Sequence, residues 1–339
     1  MGGGTIRPLL VSISPQFDPQ SRAFYALLAA SIALTWACLE VTAIDVSAAL
    51  QFNTAIWACV AIFMASMFRR AGRERLSTGI ETIALTIVMA IELVAIQYPL
   101  AAISGPLIDT ALLRADRALG FDWLTFARLF HSAEALGFLK WAYLSMSWQA
   151  ALVLIIMAWR GDTTRCWQFV TATFLLFLIA LLPFPMFPAD GQFVLCGLRP
   201  VDVPVIGDFC VYGSVLHHLR DGNLRIIEPS MAVGMVTFPS AHAAAALLLV
   251  WAIWPYRWLR VPGVALNTGL CVAAIVIGSH YLVDILAGWA LGIISIRLAR
   301  VLVGDPRGRN AAVEGSGTTR LARVLQINRL CARRCRQEK

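Results

Sequence analysis

Charge is scarce in this chain, and lysine is scarcer still. Asp, Glu, Lys and Arg make up 14% of the 339 residues, and Lys140 and Lys339 are its only lysines. A soluble domain carries about 25% charged residues, so a water-surrounded globule is excluded. Cationic side chains are almost all Arg, a bias that suits a GC-rich bacterial genome. The eight cysteines lack the spacing of a zinc module, which needs four ligands. Cys38, Cys59, Cys166 and Cys271 sit in or beside apolar runs and read as small hydrophobes; Cys331 and Cys335 fall in a basic tail. No early apolar run resembles a cleavable signal peptide. One half of the chain does not repeat in the other, which weakens a transporter reading. There are only five histidines, so where each one falls carries weight.

What the chain has in abundance is apolar sequence, 59% of its residues. A membrane span needs about 20 mostly apolar residues. Eight runs qualify: 23–44, 48–68, 78–103, 141–159, 166–187, 238–254, 261–277 and 281–303. The expected fold is therefore all-α, a polytopic membrane helical bundle of about eight transmembrane helices. Residues 1–22 form a leading segment, 23–303 the membrane domain and 304–339 a tail with nine Arg/Lys against three Asp/Glu. Beside a span, such a tail indicates cytoplasmic placement and attraction to anionic lipid heads rather than to nucleic acid.

Orientation follows from the remaining Arg clusters. Arg69, Arg70, Arg73 and Arg75 link runs two and three. Arg160 and Arg165 flank the link between four and five, and Arg257 and Arg260 lie between six and seven. With eight spans all of these fall on one face, which the positive-inside rule makes cytoplasmic. Both termini are then cytoplasmic, and in a bacterial inner membrane the loop 188–236 is periplasmic. Segment 106–139 lies on that outer face and is too polar to span. Leu112, Leu113, Leu119, Trp123, Phe126, Leu129 and Phe130 are interleaved there with Arg114, Asp116, Arg117, Asp122 and Arg128, with Gly120 as a break. One or two interfacial helices are expected, capping the bundle or giving a lipid lateral access. Glu40 and Glu81 fall near span ends. Glu92 is nearer a span centre, where it either lines a cavity or bonds a neighbouring helix.

The candidate chemistry gathers in 237–288. Thr-Phe-Pro-Ser-Ala-His ends on His242, and Gly-Ser-His-Tyr-Leu-Val-Asp carries His280 and Asp284. Pro239 is suited to begin run six, since its missing N–H costs nothing at a helix start. Ser240 and the free amides of that turn would favour an anion, phosphate being the usual one. His280 and Asp284 are one helical turn apart and share a face, so the carboxylate can fix the imidazole tautomer. One run leads away from His242 and the next returns to His280, which puts both histidines at the same side. Together they make a nucleophile, its orienting acid and a proton donor.

Phe-Pro-Ser-Ala-His and Gly-Ser-His-Tyr-Leu-Val-Asp-Ile-Leu-Ala-Gly resemble the second and third signatures of the type 2 phosphatidic acid phosphatase superfamily. The match looks closest to its inositolphosphotransferase-like branch, which includes inositol phosphorylceramide synthases. The strong resemblance covers 236–288; the runs Phe-Pro-Ala-Asp-Gly at 187–191 and Leu-Arg-Asp-Gly at 219–222 also look familial. The resemblance implies a metal-independent enzyme without cofactor, in which His280 attacks phosphorus, Asp284 supports it and His242 protonates the leaving group. It implies a membrane phospholipid or lipid phosphate as substrate, and an inositol headgroup rests on it alone.

The departures concern phosphate binding. The family's third signature has an Arg six residues before the histidine, where this chain has Ala274. Its first signature is Lys, six residues, then Arg-Pro; here Arg199-Pro200 follows Gln192. Phosphoryl transfer still requires a cationic partner, and Arg220, Arg199 and Arg225 are the candidates. This loss leans the resemblance towards the transferase-like branch, whose members also depart from that pattern, while the sequence itself does not decide between an alcohol acceptor and water. The alternatives are a lipid phosphatase using water and a non-catalytic lipid transporter. His217, His218 and His131 read as loop or interfacial residues. Cys196 and Cys210 share the outer loop and form a possible disulfide.

Overall fold

The computed structural model describes residues 18–195, 211–228, 234–278 and 280–304. Cys196, Arg199, Cys210, Cys331, Cys335 and the basic tail lie outside them. Twelve α-helices are described: α1 (Arg22–Thr42), α2 (Ala48–Arg70), α3 (Glu74–Ala102), α4 (Asp109–Ala118), α5 (Trp123–Ala127), α6 (Ala133–Arg160), α7 (Thr163–Leu181), α8 (Gln192–Leu195), α9 (Val211–Arg220), α10 (Ala241–Ile253), α11 (Arg257–Val276) and α12 (Leu282–Val303). The sole sheet among these residues is a short parallel pair, β1 (Asp45–Val46) with β2 (Ile226–Ile227). The fold is an all-α bundle.

Six helices are long and apolar enough to cross a membrane: α1, with the 3₁₀ turn before it, and α3, α6, α7, α11 and α12. α2 is apolar over 23 residues as well. Large apolar side chains face outward along them, among them Val41, Trp57, Trp159, Val261 and Val301, each at least 70% exposed. Apolar surface on that scale requires lipid around it. This is a multi-pass membrane protein.

The sixth expected span is corrected. α10 has thirteen residues, about 20 Å at 1.5 Å per residue, against a hydrocarbon core of about 30 Å. Its start is fixed by Ser240, whose backbone is extended and whose Oγ accepts the Ala243 N–H at 3.3 Å. Pro239 therefore precedes the helix instead of opening it. α10 is buried around its circumference through Ala243, Ala244, Ala246, Leu248, Leu249 and Ala252, as expected of a helix apolar on every side. It packs on α12, α11, α7 and α6. Close approach to α12 depends on Gly288 and Gly292, one turn apart. A Cβ on Gly288 would stand 2.4 Å from the Ser240 carbonyl oxygen, and one on Gly292 would stand 3.1 Å from that of Ala244. Small residues at this spacing let helix backbones meet.

Other boundaries shift for local reasons. α6 begins at Ala133, eight residues before the expected span, because Ser132 caps it by accepting the Ala135 N–H at 3.1 Å. α7 stops at Leu181, ahead of Pro183, Pro185 and Pro188. Between α3 and α6 lie α4, α5 and a 3₁₀ turn, broken at Gly120 with φ +76°.

The basic links meet at one end of the bundle. Tyr256 donates to Asp162, Arg165 bonds the Trp251 and Ala252 carbonyls, Arg160 lies over the Tyr256 ring and Arg75 reaches Gly161.

Candidate active site

His280 lies in the turn between α11 and α12, held by its own N–H to the Ala274 carbonyl at 3.1 Å. Its Nδ1 is 3.3 Å from Asp284 Oδ2. Asp284 is the third residue of α12 and completely buried; the same Oδ2 accepts the Tyr281 N–H at 2.8 Å. The carboxylate thus closes the first turn of its own helix and orients the imidazole in one act. Burial pushes His280 from 6.5 down to about 4, against a raising contribution from its bond to the Thr237 backbone. A neutral ring is the form with a lone pair to offer.

His242 is the second residue of α10, and its ring centroid is 6.1 Å from that of His280. The Tyr143 ring of α6 stacks on it with centroids 4.2 Å apart, and the Tyr143 hydroxyl lies 3.5 Å from its Nδ1. The two histidine turns are bonded directly: Ser240 N–H donates to the Asp284 carbonyl at 3.0 Å. The expected convergence of His242, His280 and Asp284 is what the fold produces.

The phosphate-binding candidates fare differently. Ser240 is buried at the head of α10 with its Oγ engaged in capping, leaving its hydroxyl proton to donate. Arg220 ends α9 within electrostatic reach of Asp190. Its Nη1 is buried with no hydrogen-bond partner among the described residues. Arg225 is drawn elsewhere: its Nη1 donates to the Thr42 carbonyl at 2.8 Å, at the end of α1. Arg199 and the Cys196/Cys210 pair lie outside the described residues. At the position of the missing family Arg, Ala274 is fully buried.

The two other familial runs come together beside the histidines. Asp190 Oδ2 bonds His217 Nε2 at 2.9 Å, which joins 187–191 to α9. Burial raises the Asp190 carboxyl and the His217 bond opposes the rise. Thr237, whose backbone bonds His280, donates its hydroxyl to the Ala189 carbonyl at 2.8 Å.

Sequence reasoning passed over Asp109 and Asp116 of α4. Asp109 Oδ1 accepts the Tyr281 hydroxyl and the Gly191 N–H, both at 2.8 Å, and Oδ2 accepts the Asp190 N–H at 3.1 Å. Asp116 accepts the Leu282 and Val283 amides at 2.9 and 3.0 Å. A signal existed: Asp109, Leu112 and Asp116 follow i, i+3, i+7 and so share one helix face, which places two carboxylates on the apolar side. Tyr143 had no such signal. Glu92 took the second of its two expected roles, accepting from Ser31 at 3.1 Å and from Thr35, both in α1. His131 is exposed and bonds the Arg128 carbonyl. Cys166 is buried as expected, whereas Cys59 faces outward.

No curated protein and no solved structure matches the chain. A family model described as the PAP2 superfamily matches residues 110–298, more than half of the chain, including His242, His280 and Asp284. Membership supports an enzyme of phosphatase or phosphotransferase type acting on lipids. By that match this multi-pass membrane protein belongs to the PAP2 superfamily.

Proposed function

We propose that the chain is a lipid phosphotransferase that works through a phosphohistidine on His280. The carrying observation is the pair of rings 6.1 Å apart, one of them tethered through Nδ1 to a fully buried carboxylate. With Nδ1 facing Asp284, Nε2 of the neutral ring is the attacking atom. It forms the N–P bond as the bond from phosphorus to the leaving oxygen breaks. Burial and the neighbouring His280 hold the His242 ring well below the ordinary imidazole value, so His242 takes up its proton once the anionic phosphoryl group lies beside it and gives that proton to the leaving oxygen. The phosphorylated ring then carries positive charge, which Asp284 stabilises. In the second half-reaction an acceptor hydroxyl loses its proton to His242 and its oxygen attacks phosphorus, and the N–P bond breaks. Net, one phosphoryl or phosphoryl-headgroup unit moves from one oxygen to another.

Arg220 is the cation proposed to meet the phosphoryl oxygens, supported by its buried Nη1, which has no partner among the described residues. Ser240 supplies a hydroxyl donor at the head of α10. Arg199 is proposed as a second cation on the strength of its Arg-Pro signature. Arg225 is withdrawn from that role by its bond to Thr42. The inositolphosphotransferase-like branch, with an inositol-bearing headgroup, is the finer proposal. The departure at Ala274 is shared with the transferase-like branch, and an alcohol acceptor is proposed on that resemblance.

The test is purified protein in detergent with ³²P-labelled phospholipids and lipid phosphates, quenched in alkali. Acid-labile label on the wild type and none on His280→Ala is the expected result. Products still formed by His280→Ala would overturn the phosphohistidine. Product analysis with and without an added alcohol separates transfer from hydrolysis, and free phosphate as the only product in both cases would make the chain a phosphatase.

A further inference from the structure

α4 belongs to none of the signature runs, yet two of its side chains hold the nucleophile's turn. Asp109 and Asp116 are seven residues apart, two helical turns or about 10 Å along one face. Both are buried, Asp116 almost completely. Between them Leu112 packs with Tyr281 and Ala189. Asp116 receives the amides of Leu282 and Val283, the first two residues of α12. Asp109 receives the hydroxyl of Tyr281, the residue between His280 and that helix. Its remaining bonds reach Asp190 and Gly191, the loop whose Ala189 carbonyl is bonded by Thr237. A helix start exposes amides that need acceptors. Here those of α12 are met by its own Asp284 and by the single carboxylate of Asp116, delivered from 166 and 167 residues away.

We propose that Asp109 and Asp116 are positioning residues of the catalytic turn: α4 clamps the His280–Val283 turn and the Asp190–Gly191 loop against each other and so aims the His280 ring at phosphorus. The proposal rests on His280 being the nucleophile. The clamp touches neither imidazole. It sets where the His280 backbone sits, and Asp284 then sets how the ring turns. An error of an ångström at the attacking nitrogen is felt in the transition state far more than in the bound ground state.

That difference can be read without knowing the natural lipid. Orthovanadate, which takes the five-coordinate geometry of phosphoryl transfer, reports the aimed nucleophile. Inorganic phosphate reports the ground-state pocket. Both are titrated against purified full-length protein in detergent, for wild type, Asp116→Asn, Tyr281→Phe and His280→Ala. Asn leaves one oxygen for two amides; Phe removes only the hydroxyl that Asp109 holds.

Asp116→Asn is expected to weaken vanadate about tenfold or more, and Tyr281→Phe several-fold, with phosphate binding within about twofold. Equal weakening of both ions would mean a general structural role and overturn the proposal, as would unchanged binding of both. If Asp116→Asn does not survive purification, Tyr281→Phe decides alone, since its ring still fills the same space. His280→Ala keeps the two failures apart. Vanadate bound normally without His280, or not bound by the wild type, removes the nucleophile and the clamp with it. Vanadate lost in His280→Ala but unaffected by Asp116→Asn and Tyr281→Phe removes the clamp alone.

Discussion

At the scale of single residues, the site combines groups that are individually unremarkable. A buried His paired with a carboxylate one turn away is common; what distinguishes His280 is a second imidazole 6.1 Å off, held by a stacked tyrosine. Removing His242 should cost about 10²- to 10⁴-fold in kcat, the range of a general acid. The protein should stay folded, and wild-type turnover by purified His242→Ala would refute the assignment. Tyr143 separates two contributions. Tyr143→Phe keeps the stacked ring and loses a hydroxyl 3.5 Å from Nδ1, so kcat should fall by less than about tenfold. Tyr143→Ala also removes the wall behind His242 and should cost clearly more; equal losses would show that the ring does nothing. The pH profile follows from His280. In the proposed mechanism its neutral form attacks, and burial lowers its folded value to about 4. The acid limb of kcat/KM should therefore lie near pH 4, and a limb near 6.5 would mean an exposed nucleophile. The same depression makes folding disfavour the protonated ring. This contribution to stability is whole above about pH 6.5 and is lost as pH falls towards 4.

At the scale of elements, the site is a joint between two helix beginnings, and its tolerance is set by glycine. Gly288 lets α12 approach until Ser240 N–H reaches the Asp284 carbonyl. In Gly288→Ala the new methyl meets a backbone oxygen at 2.4 Å, which cannot swing away as a side-chain tip would. Overpacking of this kind costs about 1–3 kcal/mol, and the displacement is expected to fall on the histidine joint. Gly292→Ala meets its neighbours at 3.1 Å and should be milder. Thermal inactivation in detergent and kcat should both rank wild type, Gly292→Ala, Gly288→Ala, and a reversed order would sink this account of the crossing. The same elements show what can be read in advance. His242, His280 and Asp284 were legible because each lies in a short run whose helical spacing is local, and the apolar runs were legible because lipid imposes a length. The shortness of α10 was not, since its apolar stretch continues past both ends and only Ser240's cap and the turn at Tyr256 cut it. Nor was the partnership of Asp109 with Tyr281, because a contact across 172 residues leaves no spacing to detect.

At the scale of the whole molecule, the bundle has a basic end and a catalytic end. Arg75, Arg160, Arg165 and Arg260 crowd the links that meet around Asp162, Trp251 and Tyr256. The histidines begin α10 and α12, and both helices run from the site toward that basic end. Arg114, Arg117 and Arg128 do occur at the catalytic end, but on the amphipathic segment of α4, α5 and the turn after them, beside Asp109, Asp116 and Asp122. Acidic neighbours count for little in the positive-inside rule, so the decision rests on the number of cations. The links 69–75, 160–165 and 257–260 hold eight Arg and the tail nine Arg/Lys, against seven in 106–140 and 188–236, those three with Lys140, Arg199, Arg220 and Arg225. The expected orientation has the basic end in the cytoplasm and the site on the far side, where a lipid headgroup of the outer leaflet can reach it. Cysteines placed singly at exposed Arg73 and Leu129, in a background with the native cysteines replaced, test this directly. In intact cells a membrane-impermeant maleimide should label Leu129→Cys and leave Arg73→Cys untouched until the membrane is opened. The reverse pattern would put the histidines in the cytoplasm, and the substrate would then have to come from the inner leaflet.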